Sequence, residues 1–310
     1  MTSFNTETTL VPLMMLIVLG WGVGRWRSID VRPISTLLIY AVAPVVAFGT
    51  TAQLAFHGRI VLLPFIVYML AAFSGLTSFA LGRVLLKKKE LRFLLPEATG
   101  CGNNGYFGLP VAMALFPPGQ VGIYFLIIMG TSLFEATFGY YFVGRGNMSV
   151  MDALKRTAGM PIIYAITAGL FLSAFHVRLD PGLVKLCDVA KGCYVTLGMM
   201  IIGLALARHK KLSRDFDFIA LVMFGKYVLW AIAVSGFVWL DGHVLRIYGT
   251  SVYTMIAILV ITPTAANTAA FAAQLDFKPQ QAATVVFLTT LLSFAALPFT
   301  LPLLFTFAQH

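Results

Sequence analysis

Residues 101–110 read CGNNGYFGLP, inside an apolar stretch that runs from residue 94 to residue 116. Two Asn, three Gly and a Pro within ten residues make a poor straight helix. Gly weakens a helix interior, and Pro removes a backbone donor and clashes with the preceding turn. In so apolar a setting, broken backbone is tolerated only where it is buried in protein or lines an aqueous cavity. A second break, ITPTAANTAAFAAQ at residues 261–274, carries Thr262, Pro263, Thr264, Asn267 and Thr268 in an otherwise apolar segment.

The rest of the chain sets the context for these breaks. Hydrophobic residues make up 59% of the 310 and charged residues 11%, and the mean hydropathy is +0.88. A soluble domain has about 25% charged residues, so this chain cannot cover a water-facing surface. It reads as an all-α polytopic membrane protein. A spanning helix needs about 20 mostly apolar residues. Ten segments qualify: 10–25, 34–53, 60–86, 94–116, 121–143, 161–176, 185–207, 218–240, 247–273 and 280–306. The remainder leaves no room for a soluble domain. The start, MTSFNTETTLVPLMMLIVLGWGVG, has no basic leader and no A-x-A cleavage site, so the first span is expected to be retained.

Lys and Arg total 22 against 12 Asp and Glu, a net charge of +10. In a soluble protein that excess suggests nucleic acid. Here the basic residues lie in short clusters between apolar runs, as in membrane-flanking loops, and the partner they imply is the lipid bilayer. Sixteen of them, Arg25 to Lys278, follow the odd-numbered spans, and five (Arg59, Arg178, Lys185, Lys191 and Arg246) lie on the other side. The bias puts the first set in the cytoplasm and both termini outside a plasma membrane, a bacterial inner membrane.

Ten spans divide into two sets of five, 1–143 and 161–310, joined by a cytoplasmic loop at 144–160. An odd number per half makes any internal repeat an inverted one. PGQVGIYFLIIMGTSLF (Pro118–Phe134) and PQQAATVVFLTTLLSF (Pro279–Phe294) are alike, and each follows a Pro-interrupted span. The fold expected is therefore a 5+5 inverted repeat with helices four and nine broken at corresponding places. Matched breaks of this kind are the best sequence pointer to the substrate site of a secondary transporter.

The candidate substrate-binding residues are Asn103, Asn104, Gly108, Pro110, Thr262, Pro263, Thr264 and Asn267. Half-helix N-termini present unpaired N–H groups and partial positive charge, and the Asn amides add donors. A donor-rich site without fixed negative charge suits a small anion, a carboxylate above all. The plainer alternative is that Pro110 and Pro263 kink two helices while Asn and Thr hold helices together.

Ionisable residues inside spans are functional candidates by default. Glu97, Glu135 and Lys226 are candidates for proton coupling. Against this, Glu97 also reads as a residue of the cytoplasmic edge, and Glu135 with Lys226 as a structural ion pair. The five His map to connections or span ends, and Cys101, Cys187 and Cys193 have no metal-ligand spacing, so no metal or cofactor is expected. Enzyme motifs such as H-E-x-x-H, G-x-S-x-G and the P-loop are absent, and no catalytic residue is assigned.

NNGYFGLPVAMALF (Asn103–Phe116) resembles the fourth-span signature of the auxin efflux carrier family, in which an Asn precedes the Pro of G-[LI]-P by seven residues. TPTAANTAAFAAQL from Thr262, with AATVVFLTTLLSFAALPF to Phe299, resembles that family's ninth and tenth spans, and YVTLGMMIIGLALA (Tyr194–Ala207) its seventh, without the Pro often found there. The resemblance implies crossing broken helices four and nine. It also implies a scaffold of spans one, two, six and seven, and an elevator-like transport domain of the other six. It maps substrate contact onto Asn103 and the crossover prolines onto Pro110 and Pro263. The short central loop is that of bacterial members, among them carriers of malonate and similar carboxylates. Dimers among the plant exporters imply a homodimer. The related sodium–bile acid symporter fold offers sodium-coupled anion uptake as the alternative, although the acidic and Gln-rich sodium motifs are not evident here. A channel or a membrane-embedded enzyme is the reading from another class.

Overall fold

The computed structural model describes residues 6–27, 29–53, 58–116, 118–208 and 212–309. His57, Lys210, Lys211 and His310 lie outside the described residues. The described chain is helical throughout: α1 (Thr6–Trp26), α2 (31–52), α3 (Leu63–Leu85), α4 (Leu95–Gly100), α5 (104–115), α6 (118–145), α7 (Val150–Ala158), α8 (Pro161–Ala174), α9 (Pro181–Arg208), α10 (216–245), α11 (Thr250–Ile261), α12 (Ala266–Gln274) and α13 (Pro279–Gln309). Each of the ten apolar segments is helical, and the fourth and ninth are interrupted, α4 from α5 and α11 from α12. Among the described residues, five helices are each long and apolar enough to cross a membrane: Pro33–Ala52, Arg59–Leu85, Ile123–Arg145, Phe216–Leu245 and Pro279–Leu297. The pair α7 and α8, bent by 41°, makes a sixth if it is one span.

The connection at 144–160 is not a plain loop. It holds the amphipathic helix α7, whose N-cap Ser149 accepts from Asp152 N–H at 3.1 Å. Such a cap satisfies one of the donors that a helix start leaves unpaired.

The chain divides into two compact units. The first comprises Met1–Phe56, Tyr140–Ser213 and Ala266–Thr284. Here α1 packs on α9 through small residues, with Gly20 against the backbone of Met200 and Gly203 against the carbonyl of Ile17. No side chain fits at either contact, which is how helices approach closely where apolar burial alone gives little drive. Tyr140 meets Phe271 edge to face at 5.0 Å.

The second unit comprises His57–Gly139, Arg214–Ala265 and Val285–His310. Its core side chains include Trp230, Tyr124, Phe134, Phe218 and Lys226, all fully buried. Ser74 on α3 donates to the carbonyl of Gly225 at 2.9 Å, and Tyr227 on α10 to that of Thr289 at 3.0 Å. At one end Lys88 pairs with Asp215 at 2.5 Å, and that hydrogen bond holds the Lys88 ammonium above its usual range. Large apolar side chains such as Phe65, Phe171, Trp239 and Phe299 are exposed, as lipid-facing residues are.

Candidate functional site

Both breaks leave the helix for a few residues only. Residues 101–103 separate α4 from α5, and residues 262–265 separate α11 from α12. Within the second unit the two extended pieces pair as strands do. Gly102 and Thr264 form an antiparallel bridge. Asn103 N–H donates to the carbonyl of Pro263 at 2.7 Å, and Ala265 N–H to that of Cys101 at 3.2 Å. Buried backbone polar groups need partners, and here each break supplies the other's.

The carbonyls at the ends of α4 and α11 are answered by name. Thr264 Oγ1 donates to Ala98 at 2.9 Å, and Trp230 Nε1 donates to Thr99 at 2.6 Å. Leu259 accepts from Thr262 Oγ1 at 2.9 Å and from Lys226 Nζ at 3.0 Å. Thr264 N–H is taken by Thr289 Oγ1 at 3.1 Å.

Asn103, Asn104, Gly108, Thr262 and Thr264 are all buried. Asn104 Nδ2 donates to Thr131 Oγ1 at 3.0 Å, while Asn104 Oδ1 has no hydrogen-bond partner among the described residues. A Cβ built on Gly102 would overlap Thr262 Oγ1 and stand 3.0 Å from Asn104 Oδ1 and 3.1 Å from Lys226 Nζ. One on Gly108 would overlap Tyr124 Oη. Both positions therefore need glycine. At Pro110 the backbone is helical, and the side chain lies outside the described residues.

Asn267 belongs to the first unit, where its Nδ2 donates to Tyr194 Oη at 2.6 Å. Tyr194 opens the stretch that resembles the seventh span, but nothing in the sequence marked it as a partner of Asn267.

The ionisable residues are arranged differently from the sequence reading. Glu97 is fully buried, and its carboxylate rests against Gly139, where a side chain would not fit. Ligand atoms of Glu97, Cys101 and Glu135 lie within 4.8 Å of one another, with Cys101 Sγ at 3.6 Å from Glu97 Oε2. Two carboxylates and a thiol so placed can exchange a proton or hold a metal ion. This cluster was missed because its third member comes from a different helix. Lys226 interacts electrostatically with Cys101 of this cluster but is not hydrogen-bonded to it. Its hydrogen bonds go to Leu259 and, at 3.4 Å, to Thr262 Oγ1, and among the described residues none goes to Glu135. Glu135, Lys226 and Asn104 all stand in π-helical turns, 135–139, 224–229 and 104–108. Such turns recur at functional sites.

A family described as Membrane transport protein matches residues 146–301, half of the chain. An uncharacterized transporter of Methanocaldococcus jannaschii is 24% identical over 216 residues, which are 65% of this chain and 68% of that protein.

Proposed function

This chain belongs to the membrane transport protein family, that of the auxin efflux carriers, and from that premise we propose that it is a secondary carrier of a small organic anion. The substrate is a malonate-like carboxylate or an auxin-like acid, and the membrane is the bacterial inner membrane with both chain termini outside. The observation that carries the reading is the crossing itself, two interrupted helices joined by the bonds Asn103 to Pro263 and Ala265 to Cys101. Non-helical backbone inside an apolar protein marks a buried or solute-lining site, and half-helices that meet in corresponding places are where carriers of this build hold their solutes.

Ten spans in a 5+5 inverted arrangement, 1–143 and 161–310 about the connection 144–160, follow from the matched breaks and the Pro-initiated helices after each. Substrate contact falls first to Asn103, with Asn104, Gly108, Pro110, Thr262, Pro263, Thr264 and Asn267 as the further set. An elevator motion is supported by the division into units. Helices α1, α2, α8 and α9 fall in one and α3, α4, α5, α10 and α11 in the other, while α12 falls with the first and α6 and α13 are each divided between the two. A homodimer would anchor the first unit while the second moves.

The test is flux. Purified protein in liposomes should accumulate labelled malonate, malate or an indole acid when a membrane potential of the right sign is imposed. Absence of flux for every carboxylate, from protein that is folded and correctly inserted, would remove the carrier reading. Exchanging sodium for potassium outside separates it from sodium-coupled uptake on the same fold.

A further inference from the structure

Two helices end at the crossing, α4 at Gly100 and α11 at Ile261. A helix C-terminus carries roughly half a negative charge, and its last carbonyls lack intrahelical partners. The bridge between Gly102 and Thr264 brings two such ends together. In carriers built on broken helices, unwound carbonyls and half-helix C-termini are what coordinate a coupling cation. The ends of α4 and α11 favour a cation beside them, just as the N-termini of α5 and α12 favour an anion beside theirs.

The structure already places a basic side chain there. Lys226 is fully buried, and its Nζ donates to the carbonyl of Leu259, in the last turn of α11, at 3.0 Å. Thr262 Oγ1, in the break, is at 3.4 Å. Asn104 Oδ1 borders the same glycine position, Gly102, that Lys226 Nζ borders, and Asn104 is 2% exposed with that oxygen unpartnered among the described residues. The ring of Trp230 lies 4.9 Å from Nζ, close enough for a cation–π contact. A carbonyl and a hydroxyl in hydrogen-bond reach of Nζ, with an amide oxygen bordering the same glycine position, are ligand types that a hard monovalent cation takes. An ammonium is such a charge, with three donors on a flexible stem.

We propose that Lys226 is a tethered cation filling the place of a coupling ion at the helix crossing, so that no sodium ion is needed there. Gly102 is part of the device, because a side chain at that position would fill the space between Nζ and the surrounding oxygens. The inference concerns the crossing alone and stands whichever solute is carried. Its readout is stability rather than flux, so its failure would leave the anion-carrier reading untouched.

The experiment is thermal unfolding of the full chain in detergent, at constant ionic strength, in sodium, potassium, methylammonium or N-methylglucamine chloride. Wild-type protein should unfold at one temperature in all four. Lys226→Ala should unfold at a lower temperature in N-methylglucamine and shift upward as sodium, potassium or methylammonium is added, since a ligand bound only by the folded state stabilises by mass action. Lys226→Met, which fills the space without the charge, should be destabilised and show no such shift. Wild-type protein stabilised by sodium over N-methylglucamine would overturn the proposal. So would a Lys226→Ala protein that no small cation stabilises, including one that cannot be recovered folded in any of the four salts.

Discussion

Thr264 Oγ1 donates to the carbonyl of Ala98 across 2.9 Å, joining residues 166 positions apart. Both groups are buried, so the bond answers a helix-end carbonyl that α4 itself cannot satisfy. Thr264→Val keeps the shape and removes the donor. Hydrogen bonds between membrane helices average about 0.6 kcal/mol and reach about 1.7, and a buried acceptor left alone costs about 1–3 kcal/mol. A loss of roughly 1–2 kcal/mol is expected in denaturant unfolding, with Thr264→Ser close to wild type.

The glycines of the first break make a sharper comparison. Gly102 and Gly108 face atoms that a methyl group would strike, whereas a Cβ on Gly105 would meet nothing within 4 Å. Overpacking a filled interior costs typically about 1–3 kcal/mol. Gly102→Ala and Gly108→Ala should each lower the unfolding temperature, and Gly105→Ala should leave it unchanged or raise it. Equal melting of all three variants would show that the crossing relaxes around an added carbon.

Much of this architecture was legible in the sequence, because apolar runs and their interruptions report directly on helix and break. CGNNGYFGLP and ITPTAANTAA marked both breaks, and residues 101–103 and 262–265 are where the helices stop. What the sequence does not carry is which buried atoms meet. The bridge from Gly102 to Thr264 is made by backbone, which has no residue signature. Glu97 and Glu135 lie 38 residues apart and come together only through the packing of α4 against α6. Lys226 had Glu135 as an obvious opposite charge, yet its hydrogen bonds go to a helix-end carbonyl and a hydroxyl. Asn267 follows Pro263 by four residues and still lies in the other unit, since the division falls between Ala265 and Ala266.

Asn103 is 6% exposed and holds the break through its backbone, N–H to Pro263 and carbonyl to the N–H groups of Phe107 and Gly108. Those bonds survive loss of the side chain, so Asn103→Ala should fold. If the amide donates to a substrate carboxylate, the variant lacks a charge-assisted bond of roughly 1.5–3 kcal/mol, and affinity should fall by about tenfold or more. Titration calorimetry or a melting-shift series with the transported acid measures it. Binding equal to wild type would return Asn103 to a structural role.

The driving force follows from charge. The cytoplasm is electrically negative, and each charge crossing 100 mV changes the free energy by about 2.3 kcal/mol, so an anion leaves the cell downhill with no coupling ion. Uptake of the same anion requires compensating cations. A Lys226 that stays charged at the crossing throughout the cycle, as proposed above, cannot supply them. The Glu97, Cys101 and Glu135 cluster can, since two buried carboxylates within 4.8 Å repel when both are ionised and are relieved by one proton. Export should therefore run on the membrane potential in wild-type protein and equally in Glu97→Gln and Glu135→Gln. Uptake should depend on an inward proton gradient and weaken in either variant. Liposome flux with the potential and the pH gradient set independently separates the two directions, and uptake that persists in both variants with the proton gradient collapsed and sodium absent would exclude this coupling.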